Sequence, residues 1–236
     1  MNKAISKDTE IYFNVRVFLF ELGHVVFGGE PNGELLSFLM SEKSTQILKV
    51  INNSTEDSAA QLMKVFADFK RQSESGKLDA IVKNLKSEYA YLILGLGSQK
   101  MSYPWESYYT NYRRMLFQES TAAVREFYRR FGYQVHEFGR IPEDHFSLEC
   151  AFIAELGKQT ISTFSSNEKD ELLHLLRGQI TFLKEHLLRW GQHYLTDLRA
   201  DCRKSMYTTV AGLIMDVGNH DVLRLQALVD EREHRP

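Results

Sequence analysis

Only two cysteines and four prolines occur in 236 residues. Cys150 and Cys202 lie far apart, with no CxxC and no Cys/His spacing suited to zinc, so reduced, buried thiols are expected and a disulfide frame or zinc knuckle is not. So little proline leaves long stretches without the residue that most strongly breaks helices. No charge of one sign dominates. The balance is 29 basic to 31 acidic residues, a net −2, which provides no field for a phosphate backbone or an anionic membrane surface. Nucleic acid is excluded as the expected partner. Long apolar runs are missing too: VRVFLFELGHVVF is interrupted by Arg16, Glu21 and His24, well short of a membrane span, and MNKAISKDTE has no signal-peptide core. The reading is of a cytoplasmic protein that is not integral to a membrane.

What is present is helical spacing. Ile11, Val15, Phe18, Leu22 and Val25 step by three or four residues behind Asp8 or Thr9 as cap, and Gly28, Gly29 and Pro31 stop them. A second helix is expected over Glu34–Ile51 with a break near Ser41, then a turn at NNSTED. A third carries Leu62, Phe66 and Phe69, and a fourth runs from Leu78 through Tyr89 and Leu92 to Gly95. Residues 95–108, GLGSQKMSYPWESY, lose the period and read as a loop. Helical spacing resumes near Ser120 and ends at Gly132, a left-handed terminus. Pro142 fits a first helical turn leading to Phe146, Cys150, Ile153 and Leu156. Asn167 caps a long helix, broken or bent near Gly191, and a last one spans Tyr207–Val229, with DEREHRP fraying. No alternating run supports a sheet. The expectation is an all-α single bundle of roughly ten helices, residues 1–236 as one domain, without internal repeats.

Chemistry-bearing motifs are few. Gly95-x-Gly97 follows a helix and lacks a third glycine, and P-loop, GxSxG and HExxH patterns are missing. His186 and His193 stand two turns apart, too far to share a metal, and read as satisfied or exposed histidines. Arg113-Arg114 and Arg129-Arg130 read as solvated helix faces. The stretch IPEDHF sets Glu143, Asp144 and His145 side by side, where on a helix they fan out by about 100° each and do not converge on one ion. In a first turn the acids would complement the helix dipole by about 0.3 to 1 kcal/mol each. That leaves the histidine unexplained, and also the second proline-aromatic-acid group, Pro104-Trp105-Glu106. An enzyme, either a metal- or nucleotide-dependent hydrolase using Glu143, Asp144 and His145, is the alternative.

Taken together, Tyr89-x-x-Leu92-Ile93 at a helix end, Pro104-Trp105-x-Ser107 in a loop, Pro142-Glu143-Asp144-His145 before the next helix, and FLKEHLLRWGQHY at 182–194 resemble the TorD/DmsD/NarJ family of redox-enzyme maturation chaperones. The resemblance implies an all-helical, non-enzymatic cytoplasmic chaperone; no cofactor and no metal are expected, and monomer and homodimer both stay open, since helical hairpins can exchange between protomers as well as pack within one. Its partner would be the apo catalytic subunit of a molybdoenzyme and the twin-arginine leader of that subunit. The family's binding residues carry over to Tyr89, Leu92, Pro104, Trp105, Asp144 and His145, while Ile93 stands where the family often has an aromatic. Physically, Glu143 and Asp144 would accept the leader's guanidinium groups. Tyr89, Leu92, Ile93 and Trp105 would cover its apolar segment, about 300 Å² of burial worth on the order of 7 kcal/mol before ordering costs. This requires the Trp105 loop and the acid-histidine turn to meet.

Overall fold

A computed structural model describes residues 6–52, 57–96, 102–135, 142–166 and 168–234, and among these it contains no strand, only helices and one isolated bridge. The helices are α1 (Lys7–Phe27), α2 (Gly33–Leu39), α3 (Glu42–Asn52), α4 (Asp57–Glu74), α5 (Leu78–Leu92), α6 (Glu106–Thr110), α7 (Glu119–Arg130), α8 (Phe146–Ser166), α9 (Lys169–Phe182), α10 (Leu188–Asp201) and α11 (Met206–Glu233). A π-helical turn, Leu183–Leu187, joins α9 to α10 without a break, so the described chain holds ten helical rods in an all-α bundle.

Three rods form the centre. α1 packs most extensively on α8, and α11 packs on α1 as well as on α9, α4 and α10. In α1 the consecutive residues Val17, Phe18, Leu19 and Phe20 are all buried, while Ile11 and Val25 are exposed. The stripe read from Ile11 to Val25 is therefore not the buried face, because a helix enclosed on several sides has no single one. Arg16 is buried in the same rod: Asp221 of α11 takes its Nε, Gln179 Oε1 accepts from Nη1 at 2.5 Å, and Phe20 lies under the guanidinium. Close approach is bought with small residues, since a Cβ on Gly23 would meet Ile214 Cδ1 at 2.5 Å and Cys150 Sγ at 2.9 Å.

Local chemistry fixes several boundaries. Ser6, not Asp8 or Thr9, caps α1, its hydroxyl accepting from Thr9 N–H at 3.1 Å. The expected break near Ser41 separates α2 from α3, and Gly132 ends α7 at φ +67°. α11 continues to Glu233, so most of the stretch expected to fray is helical. Gly191 marks no break; it lets Met215 of α11 come close, its absent Cβ lying 2.5 Å from Met215 Sδ, and the irregularity is the π turn just before it. Both cysteines are free, Cys150 buried and Cys202 half-exposed, so only the first matches the expectation of buried thiols. NNSTED and Asn167 fall wholly or largely outside the described residues.

Candidate functional site

α8 begins at Phe146, four residues later than Pro142 suggests. Pro142–Asp144 form a turn, and His145 pairs in an antiparallel bridge with Trp105. Glu106 N–H donates to Asp144 O at 2.9 Å and Phe146 N–H to Pro104 O at 2.8 Å. These two bonds flank the Trp105–His145 pair, the narrow type of antiparallel pair, which brings facing side chains close. The rings duly meet edge to face, centroids 4.9 Å apart. The tryptophan loop and the acid-histidine turn therefore do meet, through backbone as well as side chains.

The acids point inward. Asp144 is fully buried; its Oδ2 accepts from Ser107 N–H at 2.6 Å, closing the first turn of α6, and its Oδ1 accepts from Thr121 Oγ1 at 2.9 Å, tying α7 to the same point. Glu143, 2% exposed, is held in a fork by Arg125, whose Nε and Nη2 both donate at 2.9 Å, and Tyr128 OH donates to the Glu143 carbonyl at 3.1 Å. The guanidinium accepted here is the protein's own. His145 caps α8: its Nδ1 accepts from Ser147 N–H at 3.1 Å and pairs with Ser147 Oγ at 2.8 Å. Burial, followed by the proximity of His24, lowers its pKa to about 3, so it is neutral with the remaining proton on Nε2. All three side chains are thus engaged by the protein's own groups, and among the described residues no three His, Cys, Asp or Glu side chains are arranged to hold a metal ion.

Beneath the bridge lies a second polar layer that sequence reasoning missed. Glu106 Oε2 meets His186 Nδ1 at 2.9 Å, and Trp190 Nε1 donates to both oxygens of Glu149 at 3.1 and 3.2 Å. Burial, and then the charge of Glu106, push the Glu149 carboxyl well up. His186 reaches Glu106 from within the π turn, which shifts the phase of the helix at that point. His193 is exposed, so the two histidines are one satisfied and one solvated, as their spacing implied. The signal that could have been read is the late FLKEHLLRW segment, whose one histidine and one tryptophan both serve this layer.

Tyr89, Leu92 and Ile93 are core residues, 7%, 0% and 2% exposed. Tyr89 contacts Tyr207, which contacts Phe27, which contacts Phe146 beside the bridge. Tyr89 reaches the bridge through this aromatic chain. Pro104 is buried and Trp105 half-buried, its Nε1 N–H without a hydrogen-bond partner among the described residues.

An open groove of about 370 Å³ adjoins this frame, lined by His24, Val25, Glu30, Glu34, Leu35 and Phe38 of α1, α2 and their connection. His24 Nδ1 lies 3.2 Å from Ser147 O, next to the cap of His145, and Glu30 raises the Tyr89 hydroxyl pKa behind burial. Its carboxylates are accessible: Glu30 makes one exposed pair with Lys86 at 3.3 Å, and Glu34 makes none among the described residues.

Residues 47–195 match the family model described as Nitrate reductase delta subunit, a stretch covering more than half of the chain and all eight residues named above. The chain belongs to that family. Delta-subunit relatives among curated proteins include a probable Tat proofreading chaperone DmsD of Haemophilus influenzae, 27% identical over 55% of this chain and 56% of that protein. A chaperone protein TorD of Aliivibrio fischeri is 29% identical over 54% and 58%, and a TorD of a Psychrobacter species 26% over 71% and 78%. The chain spans just over half the length of the first two. The resemblance read from the sequence thus stands, while the groove residues His24–Phe38 lie outside the stretch that the family model matches.

Proposed function

We propose that this member of the delta-subunit family is a cytoplasmic maturation chaperone. It holds the apo catalytic subunit of a molybdoenzyme, together with its twin-arginine leader, until the cofactor is inserted. The observation that carries the reading is the groove at His24–Phe38, where accessible acids stand over apolar side chains beside the Trp105–His145 bridge. A leader with paired arginines and a following apolar segment needs both. In this reading Glu30 and Glu34 take the guanidinium groups, and Val25, Leu35 and Phe38 take the apolar segment. Tyr89, Leu92, Ile93, Pro104, Trp105, Glu143, Asp144 and His145 frame the groove. The frame lies in the family-matched stretch and the groove outside it, which supports a shared mechanism with client choice made at the groove. No helix among the described residues is long and apolar enough to cross a membrane. The relatives' names support a chaperone; nothing supports the hydrolase alternative.

Calorimetry with a synthetic twin-arginine leader tests this. Glu30→Lys/Glu34→Lys is expected to weaken binding at least tenfold, and Trp105→Ala several-fold, with helix content unchanged. Parent-like affinity in both variants would remove the groove and the frame from the binding site.

A further inference from the structure

The connection between α6 and α7, Asn111–Gln118, reads NYRRMLFQ and is a loop, not the helix face expected for Arg113-Arg114. It exposes three large apolar side chains, Tyr112 at 86%, Met115 at 49% and Phe117 at 56%. Arg114 and Phe117 hold φ of 50° and 57°, a region that L side chains avoid, so the loop keeps this shape against local preference. Neither arginine forms an ion pair with a carboxylate among the described residues. Arg113 Nε donates to Tyr112 OH at 2.5 Å and Arg114 Nη1 to Tyr108 OH at 3.3 Å, each guanidinium also lying over the ring of that tyrosine, and Asp197 is within electrostatic reach of Arg114. A contiguous patch of this kind, two cations set among exposed aromatic and thioether groups, has the composition of a contact surface.

Its complement is on the same molecule. The His24–Phe38 groove offers Glu30 and Glu34 over Val25, Leu35 and Phe38, opposite in charge and matched in apolar content. No loop residue lines that groove, and the contacts of Arg113 and Arg114 stay within the loop, α6 and α10. We infer that the Asn111–Gln118 loop of one copy docks into the His24–Phe38 groove of a second copy. The contact is heterologous, with different patches on the two partners. Opposed charges fix its register and make it salt-sensitive. The inference rests on the loop and the groove alone and does not require the leader reading. If that reading also holds, loop and leader compete for one groove.

Sedimentation velocity of the full chain over a rising concentration series tests it. The parent is expected to show a weight-average coefficient that climbs with concentration. Arg113→Glu/Arg114→Glu and Glu30→Arg/Glu34→Arg should each associate at least tenfold more weakly. An equimolar mixture of the two variants should recover association, because a reversed loop then meets a reversed groove. A concentration-independent parent, variants that associate like the parent, or a mixture that fails to recover would each overturn the inference. All these residues are on the surface, and circular dichroism checks folding. The loop variant leaves the groove intact, so it should bind a twin-arginine peptide at least as tightly as the parent does. A peptide that fails to bind the parent, alongside a mixture that recovers, would remove the leader reading and leave the loop contact standing.

Discussion

Asp144 joins two helices with one carboxylate, closing α6 through Ser107 N–H and anchoring α7 through Thr121. Asp144→Ala leaves both donors unsatisfied in a buried place and should cost about 2 to 4 kcal/mol, read as a lower urea midpoint at unchanged slope. His145 gives a pH dependence of definite sign. Its folded pKa is about 3, below the ordinary 6.5, so the unfolded chain binds more protons between those values. Its contribution is complete above about pH 6.5 and is lost as pH falls toward 3. His145→Asn keeps a capping side chain but cannot titrate there. Urea titrations at pH 7 and pH 4.5 should therefore show a smaller acid loss in the variant, by on the order of 2 kcal/mol. Residue types at 143–145 were legible as a special cluster, but their direction was not. Whether helix α8 starts at Pro142 or at Phe146 decides which way each side chain faces, and the partner that settles Glu143, Arg125, is 18 positions earlier on a different helix.

Between elements, approach distance is the controlling quantity. At Gly23 three rods come within a side chain's width, and both atoms a Cβ would strike, Ile214 Cδ1 and Cys150 Sγ, belong to buried residues with little room to give. Gly23→Ala gains helix propensity of about 0.5 to 1 kcal/mol and loses about 1 to 3 kcal/mol to overpacking. A net loss near 1 kcal/mol is expected, visible as a thermal midpoint lowered by a few degrees. Peripheral helices such as α4, α5 and α7 were readable from spacing because each has one wet face. α1 was misread because apolar period carries no direction once water is excluded from several sides. The short helix α6 was hidden for another reason: five residues are too few for a periodic signal, and its cap, Asp144, is distant in sequence.

At the scale of the whole molecule, sequence pattern sufficed for the all-α class and the number of rods, while the meeting of the Trp105 loop with the acid-histidine turn was a requirement set by the family resemblance. It missed the groove, whose lining from His24 to Phe38 carries no motif and becomes a concavity only when α1, α2 and the chain between them are assembled. On the proposed reading, with exposed carboxylates over apolar side chains holding the leader, its affinity should fall as ionic strength rises from about 0.05 to 0.5 M, but level off rather than vanish. Calorimetry across a salt series would show this, and Glu30→Lys/Glu34→Lys should flatten the dependence.

The five residues Leu183–Leu187 set the rotational phase of everything beyond them. Removing one, Lys184 for example, would let the remaining four close as an ordinary α turn through nearly the same rotation, leaving α10 in phase and Trp190 still facing Glu149. A single-codon deletion should therefore be tolerated better within that turn than in the regular stretches of α9 or α10 beside it, where it would turn the rest of the rod by about 100°. The extra residue is a tally mark in the gene, and a residue taken from anywhere else in the rod would misalign the two layers that this turn keeps in step.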